Sequence, residues 1–422
     1  MKTAKVIIGG AFGDEGKGLF TDYLAAESEA GTCVVRFNGG AQAGHTVQTP
    51  EGRRHVFGHF GSGSLAGLPT FLSSYFVCNP VIFLRELRQL AALGVTPCVY
   101  ADKNCAVTTP YDMMINQIVE QARGKNRHGS VGVGFGETLE RQQNTVYALR
   151  LDDLQDADGL RRRLDLMRAD WVPKRLAALG VTDIGEEWQR LLASETLREH
   201  FIDDAAQFLA AIRPVGGGHL AQWEHVIFEG AQGLLLDQER GWFPHVTRSY
   251  TGIRNVLTLA EAAGLDDLDV YYLTRSYTTR HGAGPLPHEL PHLPYAGIVD
   301  ETNRPNAYQG VLRFAWFDLD LFRDTVLRDL GDGQGRLTLR PHLAMSCLDQ
   351  IEGEARYIAQ GRLHSAGADE LYECVRCAIG GGDGLASYGP TRAAIVPVAA
   401  FAPHPCSAAD IGNRAFEALN VM

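Results

Sequence analysis

The chain lacks the features that mark nucleic-acid-binding, membrane-spanning and disulfide-stabilised proteins. Its 39 Lys and Arg residues are outnumbered by 50 Asp and Glu residues, and the net charge of −11 argues against a general surface for nucleic acid or anionic lipid. Eight cysteines among 422 residues are too few for a disulfide scaffold. No apolar run approaches the roughly 20 residues that cross a bilayer, and Met1–Lys5 leads into a short apolar segment without a signal-peptide core. We therefore expect a reduced, cytoplasmic protein with no nucleic-acid or membrane partner.

Strand-like and helix-like segments alternate along the chain. Short apolar runs predict buried strands at 6–8, 33–37, 226–228, 270–273 and 342–348. Asn79-Pro80 and Thr109-Pro110 are typical helix starts, because the first residue can cap free amides and proline is preorganised for the first turn. This alternation predicts an α/β fold with a large, mostly parallel central sheet flanked by helices.

No internal repeat or low-complexity linker divides the sequence, so residues 1–422 are treated as a single domain. Residues 151–213 differ in character, with dense charge, few glycines and apolar residues at helical spacing. This stretch predicts a helical insertion beside the sheet. Residues 260–422 form the C-terminal part of the predicted domain.

A glycine-rich loop with one lysine follows the first predicted strand, in the run Ile7–Gly18 (IIGGAFGDEGKG). Small residues let backbone amides approach a phosphate, and both the helix N-terminus and Lys17 favour an anion. The loop is P-loop-like but not a strict P-loop, since Gly18 replaces the Ser or Thr that would bind magnesium. Asp14 would then be the natural metal ligand. From the pattern alone, a tight turn with surface charges is an equal alternative.

A second glycine-rich run, Asn38–Thr46 (NGGAQAGHT), follows the second predicted strand. Ligands of open α/β sheets bind in the crevice outside the carboxyl ends of neighbouring strands, so both runs are expected to share one site. His45 is placed to donate a proton or hydrogen bond to a transferring phosphate. A lone loop histidine is more often structural.

Three further patterns are weak. His288–His292 (HELPH) matches a zinc-protease string, but the surrounding prolines exclude the required helix. Cys374 and Cys377 form a lone CxxC in a predicted strand, without the two further ligands of a zinc site. The glycines of Gly132–Gly136 lack a clear strand-turn-helix frame.

The two glycine loops together resemble the adenylosuccinate synthetase family, which has a GDEGKG loop followed by GGxNAGHT. The likeness continues in family order through four later blocks, which are 228–237 (FEGAQGLLLD), 244–249 (PHVTRS), 279–290 (TRHGAGPLPHEL) and 387–392 (SYGPTR).

The resemblance implies a homodimeric, GTP- and Mg²⁺-dependent ligase that phosphorylates the 6-oxo group of IMP and then joins IMP to the amine of aspartate. It implies that Asp14 is the base and a magnesium ligand, with the Gly44 carbonyl, and that His45 stabilises the transferring phosphoryl group. The implied nucleotide-binding residues are Gly13, Glu15, Gly16, Lys17, Gly18, Gly44, Thr46, Cys347, Asp349, Ser387 and Gly389. The implied purine-binding residues are Gln42, Ser130, Gln232 and Thr247, and Arg141 is the nearest candidate for an arginine that reaches across the dimer.

Departures from the family pattern concern both the base and the amine donor. Cys347 replaces a lysine of the guanine-binding segment while Asp349 remains, so ATP is an open alternative to GTP. The donor loop has four candidate residues, Asn306, Gly310, Leu312 and Arg313, and of its arginine run only Arg313 survives. Because carboxylates are best held by guanidinium forks, this loop predicts poor binding of aspartate. The alternatives are a paralogue with another amine or purine, and an inactive nucleotide-binding protein.

Overall fold

A ten-stranded sheet forms the centre of the computed structural model, which describes residues 2–124, 131–299 and 312–400. Its strands are ordered β20-β19-β16-β11-β1-β10-β2-β5-β7-β9. All neighbouring pairs are parallel except β19 and β20. The predicted α/β fold is confirmed.

The first ten strands, in chain order, are β1 (Thr3–Gly9), β2 (Thr32–Arg36), β3 (His45–Gln48), β4 (Arg54–Phe57), β5 (Thr70–Leu72), β6 (Val77–Cys78), β7 (Val99–Asp102), β8 (Ala106–Val107), β9 (Arg213–Val215) and β10 (His225–Gly233). The later strands are β11 (Asp267–Arg275), β12 (Thr278–His281), β13 (Glu289–Leu290), β14 (Leu312–Ala315), β15 (Phe317–Asp318), β16 (Thr338–Ser346), β17 (Ala355–Ala359), β18 (Arg362–Ala366), β19 (Gly384–Ser387) and β20 (Ile395–Val398).

The α-helices of the described residues are α1 (Lys17–Ala26), α2 (Pro80–Ala92), α3 (Pro110–Arg123), α4 (Phe135–Gln142), α5 (Ala157–Leu166), α6 (Val172–Ala178), α7 (Gly185–Ala193), α8 (Glu195–Ala211), α9 (Arg254–Ala263), α10 (Leu319–Gly331) and α11 (Ala368–Ala378). Helices α5–α8 fall within 151–213, so that stretch is helical; its status as an insertion and the other domain bounds stay predictions. Within the described ranges, no helix combines the length and apolar composition needed to cross a membrane.

Both predicted proline-marked helix starts are confirmed. The Asn79 side chain accepts a hydrogen bond from the Ile82 amide at 3.2 Å and caps α2. Thr109 and Asp112 form a reciprocal capping box at the start of α3. Each cap satisfies amides that a helix end leaves without an intrahelical partner.

Three sequence predictions need correction. The segment Cys374–Cys377 lies in α11 rather than in a strand, because Leu371, Tyr372 and Val375 form a buried helical face. Strand β16 ends at Ser346, since Cys347 has a left-handed backbone (φ 63°) that cannot continue an extended strand. The glycine run 132–136 does lead into a helix, because Gly134 (φ 78°) immediately precedes α4.

Buried apolar side chains lie on both faces of the sheet. One cluster joins β1, β10, β11 and β16 to α9, α10 and α11, with Val6, Phe228 and Val270 fully buried. A second cluster joins α2 and α3 to the helices of 151–213, around Phe83, Ile115 and Phe208. Helix α1 packs against the sheet through Leu19, Phe20 and Leu24. This packing fixes the carboxyl ends of the central strands in one rim.

Candidate functional site

A cavity of about 930 Å³ opens at the carboxyl ends of β1, β2, β10, β11 and β16. The sequence-predicted residues that line it are Gly13, Asp14, Gly16, Lys17, Gly18, Gln42, Gly44, His45, Thr46, Gln232, Thr247, Cys347, Asp349 and Gly389. These residues come from six separate segments of the chain. The structure thus brings both glycine loops and the later blocks to one place.

The first loop is held in shape by Glu15. One carboxylate oxygen of Glu15 accepts hydrogen bonds from the amides of Ala11 (3.1 Å) and Gly13 (2.8 Å), and the other contacts Lys17 Nζ at 3.0 Å. Gly16 has φ 92° and begins α1 without a side-chain cap, which leaves amides at the helix start for an anion. Glu15 itself is buried, and its contacts stabilise the conformation of the loop.

The two loops pack tightly at Gly18, which explains why no Ser or Thr stands there. A Cβ atom added to Gly18 would lie 2.6 Å from the Thr46 carbonyl oxygen. That approach is closer than a side chain tolerates, so the close contact with β3 requires glycine at this position.

Asp14 occupies the tip of the first loop with a left-handed backbone (φ 62°). The Arg275 side chain donates to the Asp14 carbonyl oxygen, and His281 Nε2 lies 3.4 Å from Asp14 Oδ2. Arg275 and His281 also line the cavity and were missed as site residues, although His281 lies in a block that resembles the family. Asp14 therefore lies on the cavity wall with His281 beside its carboxylate and Arg275 at its backbone carbonyl oxygen.

His45 is buried beside a carboxylate that sequence reasoning also missed. His45 Nδ1 lies 2.6 Å from Glu229 Oε1, and Glu229 is fully buried in the middle of β10. Burial lowers the pKa of His45, and the charge of Glu229 opposes that shift. A neutral His45 would donate Nδ1–H to Glu229, which leaves Nε2 for a ligand in the cavity.

Glu229 is part of a larger buried charge network. Ser62 donates its amide N–H to Glu229 Oε2 at 2.9 Å, and its hydroxyl contacts Oε1. Burial would raise the pKa of Glu229, but the charges of Arg36 and His45 hold it below its usual value. Arg36 is fully buried and donates to the Phe60 carbonyl oxygen at 3.1 Å. The sequence could have indicated this network, because Arg36 and Glu229 are charged residues that directly follow apolar residues in predicted strands.

The cavity fits a magnesium ion bound partly by substrate. Among the described residues, no three His, Cys, Asp or Glu side chains form a ready metal cluster. Mg²⁺ usually takes one or two protein oxygens and completes its shell with phosphate oxygens and water. Asp14 and the Gly44 backbone line the same cavity as the phosphate loop and match that donor set.

Three of the purine-binding candidates, Gln42, Gln232 and Thr247, lie on the cavity wall. Both amide atoms of Gln42 are buried and have no partner within the described ranges. Gln232 adopts φ 67° where β10 turns away from the sheet, and Thr247 donates its amide to the Leu236 carbonyl oxygen. A buried amide without a partner is costly, so Gln42 suits a ligand that supplies hydrogen bonds.

The predicted base-recognition residues follow β16. Cys347 and Asp349 line the cavity beside Tyr277, whose hydroxyl donates to Gln350 at 2.6 Å. Burial raises the pKa of Asp349 above its usual value. A partly buried carboxylate is stabilised by hydrogen bonds from ligand N–H groups, and the edge of a guanine base would supply such donors.

Comparisons with known proteins show the family to which the chain belongs. A family model described as adenylosuccinate synthetase matches residues 6–363. The chain belongs to the adenylosuccinate synthetase family. The adenylosuccinate synthetase of Microcystis aeruginosa is 34% identical over 291 residues, which are 68% of this chain and 62% of the relative. That of Gloeothece citriformis is 32% identical over 381 residues, which are 88% and 81% of the two chains. The match to the Microcystis protein thus spans less than two thirds of that protein's length.

Two solved structures share the fold at low sequence identity. The fully ligated adenylosuccinate synthetase of Plasmodium falciparum has a TM-score of 0.69 at 17% identity and covers 93% of this chain and 98% of its own. The succinoaminodeoxyadenylate synthetase (PurZ) of cyanophage S-2L, bound to dGMP and dATP as an energy donor, has a TM-score of 0.60 at 16% identity and covers 94% and 96%. These likenesses establish the family fold for this chain.

One residue carried over from the family resemblance is wrong. Arg141 is fully buried, with its Nε and Nη2 atoms both 2.9 Å from the Asp112 carboxylate. It also donates to the carbonyl oxygens of Val107 and Tyr147, each at 2.7 Å. A guanidinium enclosed in this way joins α4 to α3 and cannot extend to a partner subunit or to substrate.

Other predicted members of the family site lie away from the cavity wall or beyond the described residues. Ser387 is buried and donates its hydroxyl to the Gly389 carbonyl oxygen at 2.9 Å. Ser130, Asn306 and Gly310 lie outside the described residues. Leu312 begins β14, where it is paired with His281.

Arg313, the remaining arginine of the donor loop, is already paired. Its guanidinium forms a bidentate ion pair with Glu289 across β13 and β14. Nη1 donates to the carbonyl oxygens of Gly282 (3.1 Å) and Gly284 (2.8 Å). A substrate carboxylate would have to displace Glu289 from Arg313.

Proposed function

We propose that this chain is a purine-nucleotide ligase of the adenylosuccinate synthetase type. The reaction would phosphorylate the 6-oxo group of IMP, or of a related 6-oxopurine nucleotide, at the expense of GTP, and an amine would then displace the phosphate. The observation that supports this most directly is the placement of Asp14, His45 and the Lys17 loop around one cavity with Gln42, Gln232 and Thr247. Family membership supports the same reaction class.

Asp14 serves as the base of the first step. The 6-oxo group of the purine is a poor leaving group, and removal of the N1 proton by Asp14 makes O6 a nucleophile toward the γ-phosphate. The bond between O6 and phosphorus forms while the bond to the nucleoside diphosphate breaks. Asp14 is suited to this step because its carboxylate faces the cavity from a loop tip.

His45 stabilises the transferring phosphoryl group. Glu229 accepts a hydrogen bond from Nδ1, so that His45, once it is protonated, can donate Nε2–H to a phosphoryl oxygen as negative charge moves through the transition state. Lys17 and the amides of the first loop would hold the triphosphate. Asp14 and the Gly44 carbonyl would hold Mg²⁺, which when bound neutralises charge on the phosphates.

The nucleoside triphosphate is proposed to be GTP, with ATP as the alternative. Asp349 can accept hydrogen bonds from the guanine N1 and N2 positions, whereas adenine presents an acceptor at N1. Cys347 provides less apolar surface for the base than a lysine stem would, so discrimination against ATP should be weak.

The amine donor is proposed to be other than aspartate, or aspartate bound weakly. Arg313 is paired with Glu289, and Arg280 is buried with Nη1 and Nη2 donating to the Pro285 and His245 carbonyl oxygens. A donor with one carboxylate and a less polar side chain, or a simple amine, fits this environment better. A paralogue with a changed donor is therefore the second candidate, and a homodimeric, cytoplasmic enzyme is proposed in either case.

The decisive experiment measures phosphate release over a grid of 6-oxopurine nucleotides, amines, GTP and ATP. We expect release that depends on a 6-oxopurine nucleotide, with GTP favoured modestly over ATP. Labelled aspartate, titrated with IMP and GTP present, tests the donor. Saturation at submillimolar aspartate would refute the altered-donor proposal, and release independent of any purine nucleotide would refute the ligase itself.

A further inference from the structure

Arg248 lies beside Thr247 on the wall of the cavity, in a segment where only the threonine was predicted to contact substrate. Its guanidinium has one hydrogen-bond partner among the described residues, Glu140 Oε2, which Nη1 contacts. The Arg248 side chain is 40% exposed and lines the cavity, so the ion pair with Glu140 does not enclose its guanidinium.

The stem of Arg248 crosses the first turn of α4. A Cβ atom built on Gly136 would lie 3.7 Å from Arg248 Cδ, in ordinary van der Waals contact. A larger side chain at 136 would therefore compete with the arginine stem for this space. Because Gly136 has no side chain, the stem of Arg248 has room to lie along α4 toward the cavity.

The partner of Arg248 does not depend on it for neutralisation. Arg175, from the helices of 151–213, contacts Glu137 Oε2 at 2.7 Å and Glu140 Oε1 at 3.3 Å. These two arginines and two glutamates form a cluster with no net charge. If Arg248 turned toward an anion, Glu140 would still be paired with Arg175.

Three other cations on the cavity wall contact groups of the loops around the cavity. Lys17 is paired with Glu15, Arg275 donates to the Asp14 carbonyl oxygen, and Arg280 donates to two backbone carbonyl oxygens. A phosphate monoester has a charge between −1 and −2 near neutral pH and is best matched by a guanidinium fork. Arg248 supplies such a fork on the same cavity wall as Thr247.

We propose that Arg248 binds the 5′-phosphate of the purine nucleotide substrate, with Glu140 and Arg175 holding it ready in the empty site. This assignment rests on the proposed function and identifies a binding residue that the family resemblance did not indicate. It also gives the helices of 151–213 a role, since Arg175 connects them to substrate binding through Glu140.

Calorimetric titration with IMP and inosine tests the assignment, because the two ligands differ only in the phosphate. For Arg248→Gln we expect IMP to bind about 10- to 100-fold more weakly, while inosine affinity stays within about 3-fold. Arg248→Lys should lose less, because it keeps the charge without the fork. Glu140→Gln should bind IMP as tightly as wild type or more tightly, because it removes a competing carboxylate.

The matched control is Arg161→Gln, which removes a partly exposed arginine paired with Glu199 in the helical stretch and should change neither affinity. Equal losses for IMP and inosine in Arg248→Gln, reproduced by Glu140→Gln, would overturn the assignment in favour of a purely structural ion pair. Unchanged IMP binding in both Arg248 variants would overturn it as well. Wild-type protein that binds neither ligand would refute the proposed function itself, and this assignment with it.

Discussion

Replacing Glu229 with glutamine should destabilise the protein because it removes the negative charge beside the buried Arg36. Glu229 and Arg36 are both 0% exposed, and Arg36 Nε and Nη2 have no hydrogen-bond partner within the described ranges. Burial lowers the pKa of Arg36, and the charges of Glu229 and Glu86 oppose that shift. Glu229→Gln would leave the buried Arg36 cation compensated only by Glu86, whose effect is the smaller of the two.

The size of the effect follows from the cost of an uncompensated buried charge. Removing one partner of a buried ion pair costs about 3–5 kcal/mol. We expect about 3 kcal/mol for Glu229→Gln, at the low end of that range, because Glu86 still opposes the charge of Arg36. The double variant Arg36→Met, Glu229→Gln should be more stable than Glu229→Gln alone, because it removes the buried cation and keeps an apolar side chain.

Urea unfolding followed by tryptophan fluorescence measures these differences in the two single variants and the double variant. Glu261→Gln is the control, since Glu261 is paired with Arg336 on the surface and should change stability by less than about 1 kcal/mol. A double variant that loses as much stability as the two single variants together would refute the electrostatic coupling between Arg36 and Glu229.

Three further predictions concern the reaction. Asp14→Asn should abolish turnover and leave GTP affinity within about 3-fold, measured by phosphate release and calorimetry, because the amide cannot accept the N1 proton. Triphosphate binding near pH 7 should be accompanied by proton uptake, measured as a dependence of the binding enthalpy on buffer, because an anion beside His45 raises a pKa that burial had lowered. Cys347→Lys should increase the preference for GTP over ATP by about 10-fold in steady-state kinetics, because a lysine stem can pack on the base.

Each of these predictions has an outcome that contradicts it. Near-normal turnover of Asp14→Asn would remove this residue from the chemical step. Proton uptake that persists unchanged in His45→Gln would assign the proton to another group. An unchanged ratio of GTP to ATP in Cys347→Lys would place the base away from position 347.

The sequence was most informative where function requires a local backbone pattern. The loops around Lys17 and His45 combine closely spaced glycines with a lysine or a histidine, and the first directly precedes a helix, so both could be found from the sequence without knowing the fold. Parallel strands then determine that such loops share an edge, as the structure confirms. Glu229 was missed because its role depends on His45, 184 residues away in the chain.

Errors arose where burial decides the role of a residue. Arg141 has the charge expected of a substrate ligand, but only tertiary packing shows that Asp112 encloses it. Cys374 and Cys377 suit a strand by residue type, and the buried helical face of α11 overrides that preference. Arg248 had no distinctive spacing, and its place on the cavity wall became visible only with α4 in position.

The left-handed residues at the cavity limit how this protein can be stabilised. Asp14, Gln232 and Cys347 have φ between 62° and 67°, a conformation that costs a non-glycine residue on the order of 1 kcal/mol. Glycine at any of the three would relieve that strain and could raise the melting temperature, but it would delete a side chain that faces the ligand cavity. Selection for heat resistance alone would therefore act against substrate turnover at these three positions.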